Sequence, residues 1–295
     1  MKKIILSIIA VAAICSCQKS DENITEVEAG VTEVVFTSGI STRATGNIWE
    51  EGDKIGVYMY EAEASAVYDE NCSNVEYSIE DGSEGTEYGT FASANPLYFQ
   101  QYSDVDFVAY YPYNESLEGG VVSLNTADQS SSEKIEELDF MVATLTDCNE
   151  NSEDLSLEFS RMMSRIVITV VRKDSRVDAV VSDLSIRNIS TEGNYTISNR
   201  STVGVAPISV TSTITLFENE GNQVEAIIVP QTTLSAMLLV VIDGEYVSAS
   251  LSNTFEAGKQ YNYNLVIGID AVEFTEVSIT SWDEQESVDM TSTMN

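Results

Sequence analysis

A 295-residue chain with 48 acidic against 14 basic side chains and a formal charge of −34 lacks the clustered lysine and arginine that neutralise phosphates, which excludes nucleic acid as a partner. It contains no histidine, so Ser-His-Asp and Cys-His nucleophile pairs, imidazole zinc or copper sites and zincin motifs are all excluded. Hydrophobic residues at 43% with 14 Tyr and 9 Phe are enough for sizeable cores.

In chain order, Lys2 and Lys3 form a basic head, residues 4–14 an apolar run broken only by Ser7, and Ser16 a small residue directly before Cys17. That order reads as a cleaved signal peptide, residues 1–16, because the apolar run is far short of the roughly 20 residues that span a bilayer. The segment 14–17 resembles the bacterial lipoprotein box. Its implied cleavage lies between Ser16 and Cys17, and Cys17 is the implied lipidation site. The polar, acidic residues 18–22 resemble an export tag that directs Bacteroidetes lipoproteins to the outer face of the outer membrane. A multiply acylated cysteine anchors firmly where one chain holds only marginally. Loss of residues 1–16 leaves 12 basic and 48 acidic residues, a net charge of −36.

The remainder has the periodicity of strands. The runs 31–36, 54–60, 106–111, 155–159, 165–171 and 225–229 are short and rich in Val, Ile, Phe and Tyr. Residues 237–242 and 245–251 flank Asp243-Gly244, a dipeptide that predicts a two-residue hairpin turn with positive φ at both centres. Residues 128–137 are an acidic helix candidate weakened by Ser130–132. Many short strands separated by Ser, Asn, Asp and Gly predict β-sandwiches. The length predicts two domains, and the polar stretch 146–154 places their boundary within 145–157. The expected organisation is a lipidated linker 17–30, an N-terminal domain 31–152 and a C-terminal domain 153–295. Cys72 and Cys148 either pair as a disulfide, closing a loop worth roughly 4 kcal/mol, or remain buried thiols. The acidic turns at 104–106 and 153–154 read as solvated loops rather than calcium sites. No metal site is expected, nor any cofactor besides the covalent lipid on Cys17.

Several motifs then occur in order: 42–45 (Thr-Arg-Ala-Thr), Trp49, 52–58 (Gly-Asp-Lys-Ile-Gly-Val-Tyr), 106–113 (Asp-Phe-Val-Ala-Tyr-Tyr-Pro-Tyr), 139–143, 157–159 leading into 165–168, 230–232, 257–261 and 279–282. Together they resemble the fimbrillin-like (Mfa-like, major fimbrial subunit) lipoproteins of Bacteroidetes, components of a type V pilus. Arg161 departs from that pattern, in which histidine is more frequent. The resemblance implies an all-β fold of two tandem transthyretin-like Greek-key β-sandwich domains, no enzymatic activity, and a place in a surface fimbrium at the outer membrane. Its implied partners are other fimbrial subunits, with a host or bacterial surface receptor as a further candidate. Arg43-Ala44 becomes a candidate maturation cleavage site, the alternative being that Arg43 is merely a loop residue. Cleavage there releases a first strand carrying Val31, Val34, Val35 and Phe36, together with the lipid. The groove so opened accepts a strand from another subunit, main-chain hydrogen bonds giving affinity and alternate side chains giving register. The candidate donor residues are Val272 and Phe274, Val277 and Ile279 after a change of phase around Glu276, and Val288 and Met290. The rival reading is a monomeric surface lipoprotein that binds glycan through exposed aromatics such as Trp49 or Tyr110, Tyr111 and Tyr113.

Overall fold

The computed structural model describes residues 32–40, 48–86, 88–99, 103–152, 154–173, 178–200, 203–218, 222–268 and 272–282. Ser16, Cys17, Val31, Arg43, Ala44, Val288 and Met290, with segments 1–16 and 17–30, lie outside the described residues.

The first part of the chain supplies β1 (Thr32–Glu33), β2 (Phe36–Ile40), β3 (Lys54–Glu61), β4 (Val75–Ile79), β5 (Tyr88–Ala92), β6 (Tyr98–Phe99), β7 (Val105–Tyr111), β8 (Val121–Asn125), the one-turn helix α1 (Ser132–Glu136), β9 (Met141–Cys148) and β10 (Ser156–Arg161). The serines that weaken α1 also start it, since the Ser131 side chain caps the turn by accepting from the Lys134 N–H. Seven strands close into a barrel in the order β10-β2-β5-β4-β3-β7-β9. Closure depends on β10, which runs antiparallel to β9 and parallel to β2. Residues 156–161, expected within the C-terminal domain 153–295, are instead a barrel strand by their hydrogen bonds.

The second part supplies β11 (Ser164–Arg172), β12 (Val181–Ser190), β13 (Glu192–Thr196), β14 (Ala206–Pro207), β15 (Thr211–Thr215), β16 (Phe217–Glu218), β17 (Gln223–Ile228), β18 (Gln231–Thr233), β19 (Met237–Ile242), β20 (Glu245–Ser250), β21 (Asn253–Phe255), β22 (Lys259–Ile267) and β23 (Val272–Ser281). They form a five-stranded sheet, β16-β17-β11-β22-β23, and a four-stranded sheet, β15-β12-β19-β20. One hydrophobic cluster draws on both sheets, with Ile166, Ile168 and Leu265 from the first and Ile186, Leu238 and Val240 from the second. The Asp243-Gly244 turn has φ of 51° and 85° and pairs Ile242 with Glu245, the two-residue hairpin geometry that its sequence predicts.

Alternation along β3 and β7 divides their side chains between two cores. Ile55, Val57, Met59, Phe107 and Ala109 point into the barrel, while Tyr58, Tyr60, Val108 and Tyr110 point outward to meet Tyr195, Ile197, Val205, Val229 and Trp282 of the second part. These strands are therefore buried on both faces and carry almost no polar residue. The seam is reinforced by β8, which pairs with β13, and by Asp106, which accepts from Arg200 at 2.6 Å and from the Glu63 and Asp147 N–H groups at 3.0 Å. Burial pushes the Asp106 carboxyl up, but these three donors outweigh it and hold it below the usual carboxylate range. Near the end of the described chain, Trp282 lies under the guanidinium groups of Arg161 and Arg165, 5.2 and 6.0 Å from the ring centroid. Arg161 is forked onto Asp139 at 2.7 and 2.8 Å.

Candidate functional site

The first strand is the element on which the functional expectation rests, and its alternation sets its side chains. Val34, Phe36 and Ser38 are fully buried, whereas Val35 is 43% exposed. On one side β2 runs antiparallel to β5, pairing Phe36 with Phe91 and Ser38 with Gly89. On the other it runs parallel to β10, pairing Thr37 with Ser156 and Ser38 with Leu157. Upstream, β1 pairs with β6, and the Val34 N–H donates to the Leu97 carbonyl at 2.9 Å. The strand thus fills a slot between two neighbours and lies over the barrel core.

Aromatic rings line that slot. Phe36 meets Tyr77 and Phe107 edge-on, each at 5.1 Å between centroids. Tyr77 is fully buried; its hydroxyl donates to the Val34 carbonyl at 3.1 Å and accepts from the Leu97 N–H at 2.9 Å. Burial pushes the Tyr77 phenol well above its ordinary value, so it stays neutral and keeps its proton to donate. Towards the C-terminal end of β2, Trp49 packs edge-on against Phe91, Tyr111 and Phe159. Removing residues 32–40 would strip β5 and β10 of their shared partner and open this aromatic floor to water.

Of the residues singled out from sequence, Val34 and Phe36 meet in the slot, and Val35 faces outward. Val272, Phe274, Val277 and Ile279 all lie on β23, which among the described residues is an edge strand hydrogen-bonded to β22 alone. The change of phase around Glu276 is a bulge: Asn262 pairs with Ser278 and Tyr263 with Glu276, so Val277 is the extra residue. Val272 and Phe274 pack on the core, while Val277 and Ile279 are 53% and 49% exposed. No bond joins Cys72 and Cys148; both are buried free thiols, pushed up to about 11 by desolvation. Of the aromatics expected to form a glycan platform, Trp49 and Tyr110 are core residues at 1% and 0% exposure, Tyr111 is half-buried and bonds Asp53 through its hydroxyl at 3.0 Å, and Tyr113 is half-buried, so the four rings do not share an exposed face. Residues 75, 77 and 79 alternate Val, Tyr and Ile, a pattern that would have placed Tyr77 in the core without showing its bond to the first strand.

The model of the fimbrillin-like family matches residues 42–282. The chain belongs to the fimbrillin-like family. A Bacteroides uniformis protein carrying the name fimbrium subunit Fim1C is 28% identical over 292 residues, covering 92% of this chain and 93% of that protein. A crystal structure from Bacteroides uniformis, described as that of a cell adhesion protein, superposes with a TM-score of 0.71 at 26% identity, covering 86% of this chain and 98% of the other. A second, from Bacteroides ovatus, described in the same way, gives 0.70 at 20% identity with 86% and 99% covered, and so speaks to the fold alone. This fimbrillin-like chain therefore shares its family and its fold with proteins of named fimbrial and adhesive roles.

Proposed function

We propose that this fimbrillin-like chain is a non-enzymatic subunit of a surface fimbrium, exported as an outer-membrane lipoprotein through Cys17 and assembled with other fimbrial subunits by β-strand exchange. Trimming between Arg43 and Ala44 releases the segment that carries β2 and, with it, the lipid on Cys17. One cut then frees the subunit from its anchor and opens the slot between β5 and β10. A strand from another subunit restores both hydrogen-bond ladders and re-covers the aromatic floor. The observation that carries this reading is the seating of β2: a strand near the start of the mature chain, bonded on both edges, with Val34 and Phe36 fully buried. Two vacated edges over an apolar floor are strongly disposed to capture a strand.

The test is to treat the mature chain with limiting arginine-specific protease, then read the new N-terminus and the mass in solution. A new N-terminus at Ala44 followed by concentration-dependent polymers is the expected result. Resistance at Arg43, or a trimmed chain that stays a stable monomer, contradicts it.

A further inference from the structure

Strands β4 and β5 are hydrogen-bonded over a short stretch only. Ser78 pairs with Ala92 and Ile79 with Phe91, and the Glu80 N–H donates to the Thr90 carbonyl at 2.9 Å. Beyond Ala92 the chain leaves the sheet through residues 93–97 before it returns as β6. On its other edge β4 stays paired with β3 from Val75 to Ser78. The barrel wall therefore splits, and a trough of about 1810 Å³, open to solvent, lies over the split. One wall is β4 with the turn before it, and the other is residues 92–98. Tyr113 enters from the β3 side, where its N–H donates to the Lys54 carbonyl at 3.1 Å.

We propose that this trough binds a neutral oligosaccharide. The site is separate from the slot between β5 and β10 and needs no trimming to bind. Pockets for single small ligands measure roughly 300–1,000 Å³, so the trough has room for several linked sugars. Its lining suits a polyol. Asn71 and Asn95 use their main-chain N–H groups in local turns, to Asp69 at 2.7 Å and Ser93 at 3.1 Å. Their exposed side-chain amides have no partner among the described residues and can each donate and accept. Glu76, Glu80 and Asp81 add carboxylates that accept from hydroxyl groups. The half-buried Tyr98 and Tyr113 rings bring apolar faces with polar edges.

The main chain adds one more donor and acceptor. The Ile79 N–H donates to the Asp53 carbonyl at 3.0 Å, so residues 75, 77 and 79 bond to β3 while 76, 78 and 80 face β5. Ser78 and Glu80 meet β5 there. The N–H and C=O of Glu76 face the trough with no strand opposite among the described residues.

Charge decides which sugars fit. Among the described residues no lysine or arginine lines the trough, and Lys54 of the neighbouring strand is tied to Glu76 at 2.7 Å. Sulfated, sialylated and uronic sugars would meet three carboxylates with no cation to offset them, which disfavours them strongly. A peptide strand fits less well than a sugar chain. Glu76 alone offers open main-chain groups on β4, and Pro96 on the far wall has no N–H to give, so a ladder of useful length cannot form.

The experiment uses the mature chain before trimming and reads fluorescence polarisation of labelled oligosaccharides of four to six sugars. Glucan, mannan, galactan and chitin fragments are the neutral probes, and heparin and polygalacturonate fragments the anionic ones. At least one neutral probe is expected to bind with a Kd of about 1 mM or tighter, and the anionic probes are expected not to bind. Asn95→Ala and Tyr98→Ala should each weaken that binding at least about fivefold. Should Tyr98→Ala unfold the chain, Asn95→Ala decides alone, since its exposed turn leaves the melting temperature unchanged. Failure of every neutral probe, preference for an anionic one, or binding that both variants leave intact overturns the proposal. Displacement of the bound probe by a lysine-rich decapeptide would assign the trough to a cationic peptide and overturns it as well.

Discussion

The barrel strand β2, close to the start of the described chain, and β23 at its end both join sheets over hydrophobic cores, yet they are held in opposite ways. The first is bonded on both edges and buries Val34, Phe36 and Ser38 completely. The last is bonded on one edge, carries a bulge at Val277, and leaves Val277 and Ile279 about half exposed. The difference teaches where an exchangeable strand has to sit. Withdrawing β2 breaks a closed barrel and creates two edges at once, whereas withdrawing β23 only moves an edge inward to β22. The bulge and the exposed Glu273 and Glu276 on β23 also discourage a stray strand from pairing with its open side.

Substitutions put numbers on that contrast. The largest effect is expected from Phe36→Ala in the untrimmed chain, a loss of about 3–5 kcal/mol in denaturant unfolding, because the Tyr77 and Phe107 rings lose their partner. A loss under about 1 kcal/mol would mean that the slot collapses around the gap and that β2 is loosely held. Next comes Trp282→Ala, at roughly 3 kcal/mol, since Trp282 is the point where the end of β23 is fixed into the seam. If this change cost no more than an exposed site, β23 would lack even that attachment.

Tyr77→Phe isolates the polar part of the slot. Two buried main-chain groups, the Val34 carbonyl and the Leu97 N–H, lose their shared hydroxyl, for an expected cost of about 1–3 kcal/mol. Faster release of the trimmed fragment should accompany it, read by size-exclusion chromatography after protease treatment. The seam should answer to acid in a defined sense. Asp106 is held below the usual carboxylate range, so its contribution is complete above the ordinary carboxylate value of about 4 and is lost as pH falls through the lower folded value. Asp106→Asn should flatten that acid-side decline in urea midpoints; an unchanged slope would show that other carboxylates set it. The smallest effect belongs to Ile279→Ser on the exposed part of β23, within about 0.5 kcal/mol. A larger loss would show that this edge is covered in solution.

Local chemistry was legible in the sequence where a feature depends on neighbours along the chain. The Asp243-Gly244 turn and the change of phase near Glu276 both reappear in the structure, the latter as the bulge at Val277, whereas the strand expected over 31–36 is displaced along the chain, the strand bonded on both edges being Phe36–Ile40. Partnership between distant segments was not legible, because periodicity reports which face a residue takes and not which strand it meets. Nothing in residues 156–161 announces a parallel pairing with β2, and nothing in 121–125 announces a pairing with β13 across the seam. The same limit explains the aromatics. Trp49 and Tyr110 have the composition of a sugar platform, and only the closure of the barrel and the second core beyond it buries them. The burial of Ser38 was hidden for a related reason: a serine in a strand reads as an outward position until its partner Gly89 is known.

The most direct test of strand release follows backbone amide exchange in three forms of the mature chain: untrimmed, trimmed and monomeric, and trimmed and polymerised. The account predicts that amides of β5 and β10 are protected in the first, lose protection in the second and regain it in the third, while β22 and β23 keep theirs throughout. Unchanged protection of β5 and β10 after trimming, or a loss that appears on β22 and β23 instead, would contradict it.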